Sequence, residues 1–193
     1  MARPKEYDRE TVLSEAMNVF WATGYFGTNM NQLIKATRLN PGSLYGAFGS
    51  KDALFFAALD HYGKMSIESV QSMLYCHDSP VESIRAWIRM VASEVTDKDN
   101  HGCFLVNTAI ELSGRSHEIQ ERVNTYLEEI GRMLATRLED ARGVGEISND
   151  KDPEAVASFI LCTIWGLRVL GETSPSEAKV VAISNQLIAL LGK

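Results

Sequence analysis

The stretch from Thr28 to Lys51, TNMNQLIKATRLNPGSLYGAFGSK, narrows the choice of fold more than any other part of this chain. It reads as two short helices joined by a tight turn. In the first, over about residues 29–36, Met30, Leu33 and Ile34 recur at helical spacing, while Asn29, Asn31, Gln32 and Lys35 form a wet face. Thr28 is the expected N-cap of that helix and Asn40 that of the next. Pro41 then occupies the first helical position, where its missing N–H costs nothing, and Leu39 is the expected apolar wedge in the turn. In the second helix Leu44 and Phe48 fall four apart and point back to the first. Pro41, Gly42, Ser43, Tyr45, Gly46 and Ala47 are left facing outward, a surface that is small and almost uncharged. A second helix held across a first by a short turn has helix-turn-helix geometry, in which the second helix can enter a DNA major groove. A helical hairpin in an unrelated bundle is the structural alternative.

The residues on either side extend the pattern. The run Phe20, Gly24-Tyr25, Thr28, Met30, Ile34, Ala36, Leu39, Gly42-Ser43-Leu44-Tyr45, Phe48 and Ser50-Lys51-Asp52-Ala53-Leu54 resembles the TetR/AcrR family of one-component bacterial regulators. The resemblance covers the first quarter of the chain. It implies an all-α, nine-helix TetR-like fold, with a helix-turn-helix DNA-binding domain over residues 1–50 and a helical ligand-binding and dimerisation domain over residues 51–193. It also implies a homodimer, a double-stranded DNA operator as partner and a small-molecule effector of unspecified identity. Carried over position by position, it makes Thr28, Tyr45 and Lys51 phosphate contacts and puts Ser43 in the groove. The residues themselves add Lys35 and Arg38 near the backbone, with Asn40, Pro41, Gly42 and Gly46 on or beside the approaching face. Two departures stand out. Many relatives carry histidine or another polar residue where this chain has Gly46 and Ala47, and often a basic residue where it has Pro41. Fewer long side chains imply a weaker phosphate grip and base reading by close backbone approach, Ser43, Tyr45 and thymine-methyl contact.

A net charge of −6 argues at first against nucleic acid. Its distribution reverses the argument. Residues 1–51 hold six basic residues (Arg3, Lys5, Arg9, Lys35, Arg38, Lys51) against four acidic ones, a balance of +2, and the remaining 13 basic and 21 acidic residues give −8. An acidic body with a mildly basic head suits a protein that touches DNA with one end. The arm Arg3-Pro4-Lys5 reads equally as a minor-groove or phosphate contact and as a frayed terminus. No signal-peptide pattern is present, and the longest apolar run, Val156 to Leu170, is short for a membrane span and contains Arg168, so a cytoplasmic location is expected. Three cysteines, Cys76, Cys103 and Cys162, lack framework spacing and read as free thiols.

In chain order, a first helix is expected from Asp8 to about Thr23, ended by Gly24, and a long one from Ser50 to about Cys76. Ser79-Pro80, Asp152-Pro153 and Ser174-Pro175 each pair a cap with proline and mark helices over 79–96, 152–171 and 174–191. A short helix near 103–112 and a long one near 116–142 lie between them, giving nine helices and no strand. The helix at 152–171 is apolar on more than one side, and that at 174–191 is similarly rich, so the two are expected to form a two-fold dimer interface. Burial of both inside a monomer is the alternative.

The segment His101-Gly102-Cys103-Phe104-Leu105-Val106-Asn107 resembles a stretch of the TetR subfamily that includes the repressor of N-ethylmaleimide reductase. That reading makes Cys103, beside His101 and at a helix start, a thiolate that captures electrophiles, with Asn107 as a neighbouring polar group. The other reading is a small buried residue packing the turn after Gly102. No histidine or cysteine pair has zinc-site spacing, and no metal or cofactor is expected. An effector cavity is implied by the resemblance, with Tyr62, Met65, Trp87, Phe104, Tyr126, Met133 and Trp165 available beside Asn107 and Glu111, although such residues at helical spacing are more often core. The chain therefore reads as a homodimeric regulator, most simply a repressor released by a small molecule or by thiol modification. The alternatives are a helical interaction module with little DNA binding and a small cysteine-dependent enzyme. The last lacks any assignable third catalytic group.

Overall fold

Helices in this chain begin where a short polar side chain can take up the first free amides, and the boundaries follow from that. The computed structural model describes residues 7–97, 101–112 and 114–192. Among them are nine α-helices and no strand. The arm Arg3-Pro4-Lys5 lies outside the described residues.

Helix α1 (Arg9–Gly27) starts at Asp8, whose carboxylate accepts from the Glu10 and Thr11 amides and the Thr11 hydroxyl. Those bonds, the Thr11 hydroxyl first, hold the Asp8 carboxyl below its ordinary range. Gly24 breaks α1 internally at φ 71, ψ 172, so the expected end at Thr23 is right and one further turn follows it. Helix α2 is Met30–Thr37 and α3 is Pro41–Phe48. The cap of α2 is not Thr28 but Asn29. The Asn29 side chain accepts from the Gln32 amide at 3.1 Å while the Gln32 side chain accepts from the Asn29 amide at 2.7 Å, a reciprocal box that Thr28, one residue earlier, cannot close. Asn40 caps α3 as expected, accepting from the Ser43 amide at 2.8 Å with Pro41 next.

Helix α4 (Lys51–Leu74) is followed by α5 (Pro80–Val95), α6 (Phe104–Leu112), α7 (His117–Gly143), α8 (Pro153–Gly171) and α9 (Glu177–Ala189). Ser79 and Asp152 cap α5 and α8 through side-chain bonds to Glu82 and Glu154 amides. The third cap-proline pair misleads. Ser174 has φ 50, left-handed rather than extended, and Ser176 caps α9 by accepting from Lys179.

The chain forms two compact units. One comprises the chain up to Met65 with Phe104–Val123; the other comprises Ser66–Cys103 with Asn124–Lys193. The first unit is centred on an aromatic cluster. Phe55 lies 5.0 Å from Phe20, 5.1 Å from Tyr25 and 5.7 Å from Phe104, all near edge-to-face, and Tyr62 bridges Trp21 to Phe104. In the second, α5 packs against α8 and α9 over a core that includes Ile84, Ile88, Val91, Leu134, Leu138, Ile160 and Ile164. The loop at 143–149 is tied to this core by buried Ile147 and by Glu146, which accepts from the Val81 amide. Helix α8 is long and apolar enough to cross a membrane by length and composition, but Arg168 within it bonds Glu94 at 3.0 Å and the Gly102 carbonyl at 3.3 Å inside the same unit.

Candidate nucleic-acid interface

Leu33 and Leu44 anchor α2 and α3 from opposite sides of the turn, at 0% and 1% exposure. Between them Arg38 takes a left-handed backbone (φ 55) at the end of α2, which makes room for a three-residue connection, while Leu39 is half-buried as the expected wedge. With Leu44 pointing inward, Pro41, Gly42, Tyr45 and Gly46 are exposed and Ser43 and Ala47 half-buried. A Cβ placed on Gly46 would meet nothing within 4 Å, and one on Gly42 only the Asn40 side chain at 3.5 Å. Glycine inside a helix costs roughly 0.5–1 kcal/mol relative to alanine, and no packing among the described residues offsets it here. The outer face of α3 is thus bare backbone with Tyr45, 47% exposed, standing out from it.

Beside this face Lys51 opens α4, where the Ser50 hydroxyl accepts from the Ala53 amide at 3.1 Å. Its ammonium lies 4.2 Å from the Tyr25 ring centroid. The Tyr25 hydroxyl donates to Asp52, and that bond, followed by burial and the Asp52 charge, pushes the phenol up to about 12. Tyr25 therefore stays neutral and keeps Lys51 stacked at a helix N-terminus, where backbone amides and ammonium together suit an anion. Lys35 and Arg38 are exposed, and the Arg9 guanidinium sits 5.0 Å from the Phe48 ring centroid. Thr28 is placed differently from the sequence expectation: it is 2% exposed, and its hydroxyl donates to the Gly24 carbonyl at 2.6 Å.

Residues 12–58 match the family model described as bacterial regulatory proteins, tetR family, and residues 80–179 match the tetracyclin repressor-like C-terminal domain. The second match alone covers more than half of the chain. The protein belongs to the TetR family. The transcriptional repressor ComR of Escherichia coli K12 is 32% identical over 97% of this chain and 90% of its own. A cysteine-substituted form of the TetR-family regulator CifR, solved with a 26-bp double-stranded operator, is 29% identical, with TM-score 0.85 and coverage of 97% of this chain and 98% of that one. The reduced form of Escherichia coli NemR has TM-score 0.84 over 93% of this chain and 94% of its own, but 19% identity, a likeness of fold alone. These models and relatives are regulators of transcription, not enzymes, which sets the cysteine-dependent enzyme aside.

The second candidate site of this TetR-family chain is less coherent. Cys103 is 8% exposed, one residue ahead of α6, whereas His101 is exposed and Asn107 half-buried. Cys76 and Cys162 are the exposed thiols. A small thiol reagent applied to folded protein is expected to modify Cys76 quickly and Cys103 only on unfolding. Peptide mapping of the labelled sites checks this, and fast labelling at Cys103 would restore the electrophile-capture reading. Of the residues expected to line a cavity, Trp165 borders an open groove of about 380 Å³ between α7 and α8, together with Leu127, Gly131, Leu161 and Cys162. Among the described residues no group of three or more His, Cys, Asp or Glu is placed to hold a metal ion. Two site-shaping roles escaped the sequence reading, that of Asn29 as a cap and that of Glu111 as an acceptor for backbone amides. Asn29 was findable from Asn-x-x-Gln spacing. Glu111 was not, because its partners, the Tyr25 and Phe26 amides, lie 86 and 85 residues away.

Proposed function

We propose that the protein is a homodimeric repressor that presents α3 of each subunit to successive major grooves of a near-palindromic operator, and that it works in the cytoplasm beside its DNA. The exposure of α3 carries this reading: a helix with one buried leucine, a bare outer face and one projecting tyrosine is shaped for close approach to a duplex. Tyr45 and Lys51 grip phosphate, Ser43 reads a base edge, and Lys35 and Arg38 add charge to either side. Residues 1–50 act as the reading domain and residues 51–193 as the sensing and dimerising domain. Dimerisation uses α8 and α9, whose outward residues Phe159, Val169 and Val181, with Leu190 just past the end of α9, are exposed although the opposite faces are core. The operator complex of CifR and the repressor ComR support both DNA binding and repression. The burial of Cys103 favours a noncovalent small-molecule effector over thiol modification as the releasing signal.

The test is binding to the duplex upstream of the protein's own reading frame across a salt series. Tyr45→Ala should weaken binding to every sequence by roughly ten- to a hundredfold, the size of one lost hydrogen bond to a charged group, and leave the salt slope unchanged because tyrosine carries no charge. Ser43→Ala should instead change the order of preference among operator variants. If both variants bind as the wild type does, α3 is not the reading helix.

A further inference from the structure

Gly24 interrupts α1 with a non-helical backbone, and the turn that follows it starts with amides that have no carbonyl four residues back to receive them. A side chain from far along the chain supplies the acceptors. The Glu111 carboxylate, near the end of α6, accepts from the Tyr25 amide through one oxygen and from the Phe26 amide through the other, each at 2.9 Å. The contact is close. A Cβ on Gly24 would stand 2.8–3.0 Å from that carboxylate, in a backbone already at φ 71, so only glycine fits.

The same peptide group is held from its other side. The Gly24 carbonyl accepts from Thr28, and the Tyr25 amide of that peptide donates to Glu111. Thr28 is followed at once by Asn29, whose box starts α2. A continuous set of bonds thus runs from α6 through one peptide plane to the first residue of the helix-turn-helix, all within the first compact unit. We propose that Glu111 is a positioning residue for the helix-turn-helix: its carboxylate caps the turn after Gly24 and thereby fixes where α2 and α3 begin. The proposal rests on the DNA-binding reading above and adds to it a residue on α6.

Two donors on two oxygens need a carboxylate. Glutamine has one oxygen and places an NH₂ where the second acceptor stood, so Glu111→Gln keeps the shape and loses half of the cap. Operator affinity of the full-length protein is to be measured for wild type and Glu111→Gln at a temperature where circular dichroism reads both as folded. Glu111→Ala serves as a second variant, and amide hydrogen exchange at Tyr25 and Phe26 is followed in each. The expected result is about a tenfold loss of affinity with an unchanged salt slope, because no phosphate contact has been removed, and faster exchange at those two amides. Unchanged affinity in a folded variant overturns the proposal, whether or not exchange accelerates. If the wild type binds no duplex at any salt, the DNA reading fails by itself. Exchange then judges the cap alone: faster exchange spreading into α2 and α3 supports it, and protection as in the wild type overturns it.

Discussion

Phe159→Glu should leave a folded monomer whose affinity for a palindromic operator is lower by about 10²–10⁴-fold. The magnitude comes from linkage. In a dimer the second head binds at an effective concentration in the millimolar range set by the first, and a monomer forfeits that advantage without losing a single contact of its own. Phe159 is the residue to change because it is 55% exposed on α8 while its neighbours Ile160 and Leu161 are core. It shares its outward role with Val169, Val181 and Leu190, each between 43% and 45% exposed. A carboxylate in the middle of such an apolar face must be desolvated on association, which outweighs what the flanking contacts supply. The same carboxylate costs the free subunit little, since the position is open to water. Sedimentation equilibrium beside circular dichroism checks the claim. A variant that remains dimeric would remove α8 from the interface.

Phe55→Ala should destabilise the first unit by about 3–5 kcal/mol, enough to unfold a marginal domain at physiological temperature. Phe55 is 1% exposed and meets the rings of Phe20, Tyr25, Phe56 and Phe104, so its removal opens a void where four partners converge and cannot all move in. Tyr25 matters most among them, because it also stacks on Lys51 and holds Asp52. Phe26→Ala is the comparison. At 57% exposure, with Arg115 over its ring at 4.9 Å and the Tyr25 ring edge-to-face at 5.3 Å, it should cost about 1 kcal/mol. Denaturant midpoints at constant slope decide between them. A Phe55→Ala loss as small as that of Phe26→Ala would mean that the cluster repacks.

What could be read from the sequence was local and periodic. A cap before proline located the starts of α3, α5 and α8 because both signals concern amides within three residues of the cap. The same rule failed at Ser174, whose left-handed backbone cannot present its hydroxyl to the following turn, and Thr28 yielded to Asn29 because only the latter has a glutamine three residues on. The outward face of α3 was legible from the spacing of Leu44 and Phe48. The fate of each polar side chain on the head was not. Thr28 turned inward to a carbonyl, and Glu111, weighed as a ligand anchor, bonds amides some 85 residues away. The burial of Cys103 likewise depends on what packs over it, which its neighbours in sequence do not encode.

The bareness of α3 also bears on how such a regulator can change. Among the described residues nothing leans on the outer side of Gly46, and Gly42 touches only its own cap, so new side chains there would disturb no contact among them and would even favour the helix. Gly24 is the opposite case, a glycine fixed by both its backbone angle and the carboxylate against it. One helix therefore carries sites free to drift while the joint that aims it does not tolerate change, and a lineage of such proteins can acquire new target sequences one substitution at a time without renegotiating its architecture.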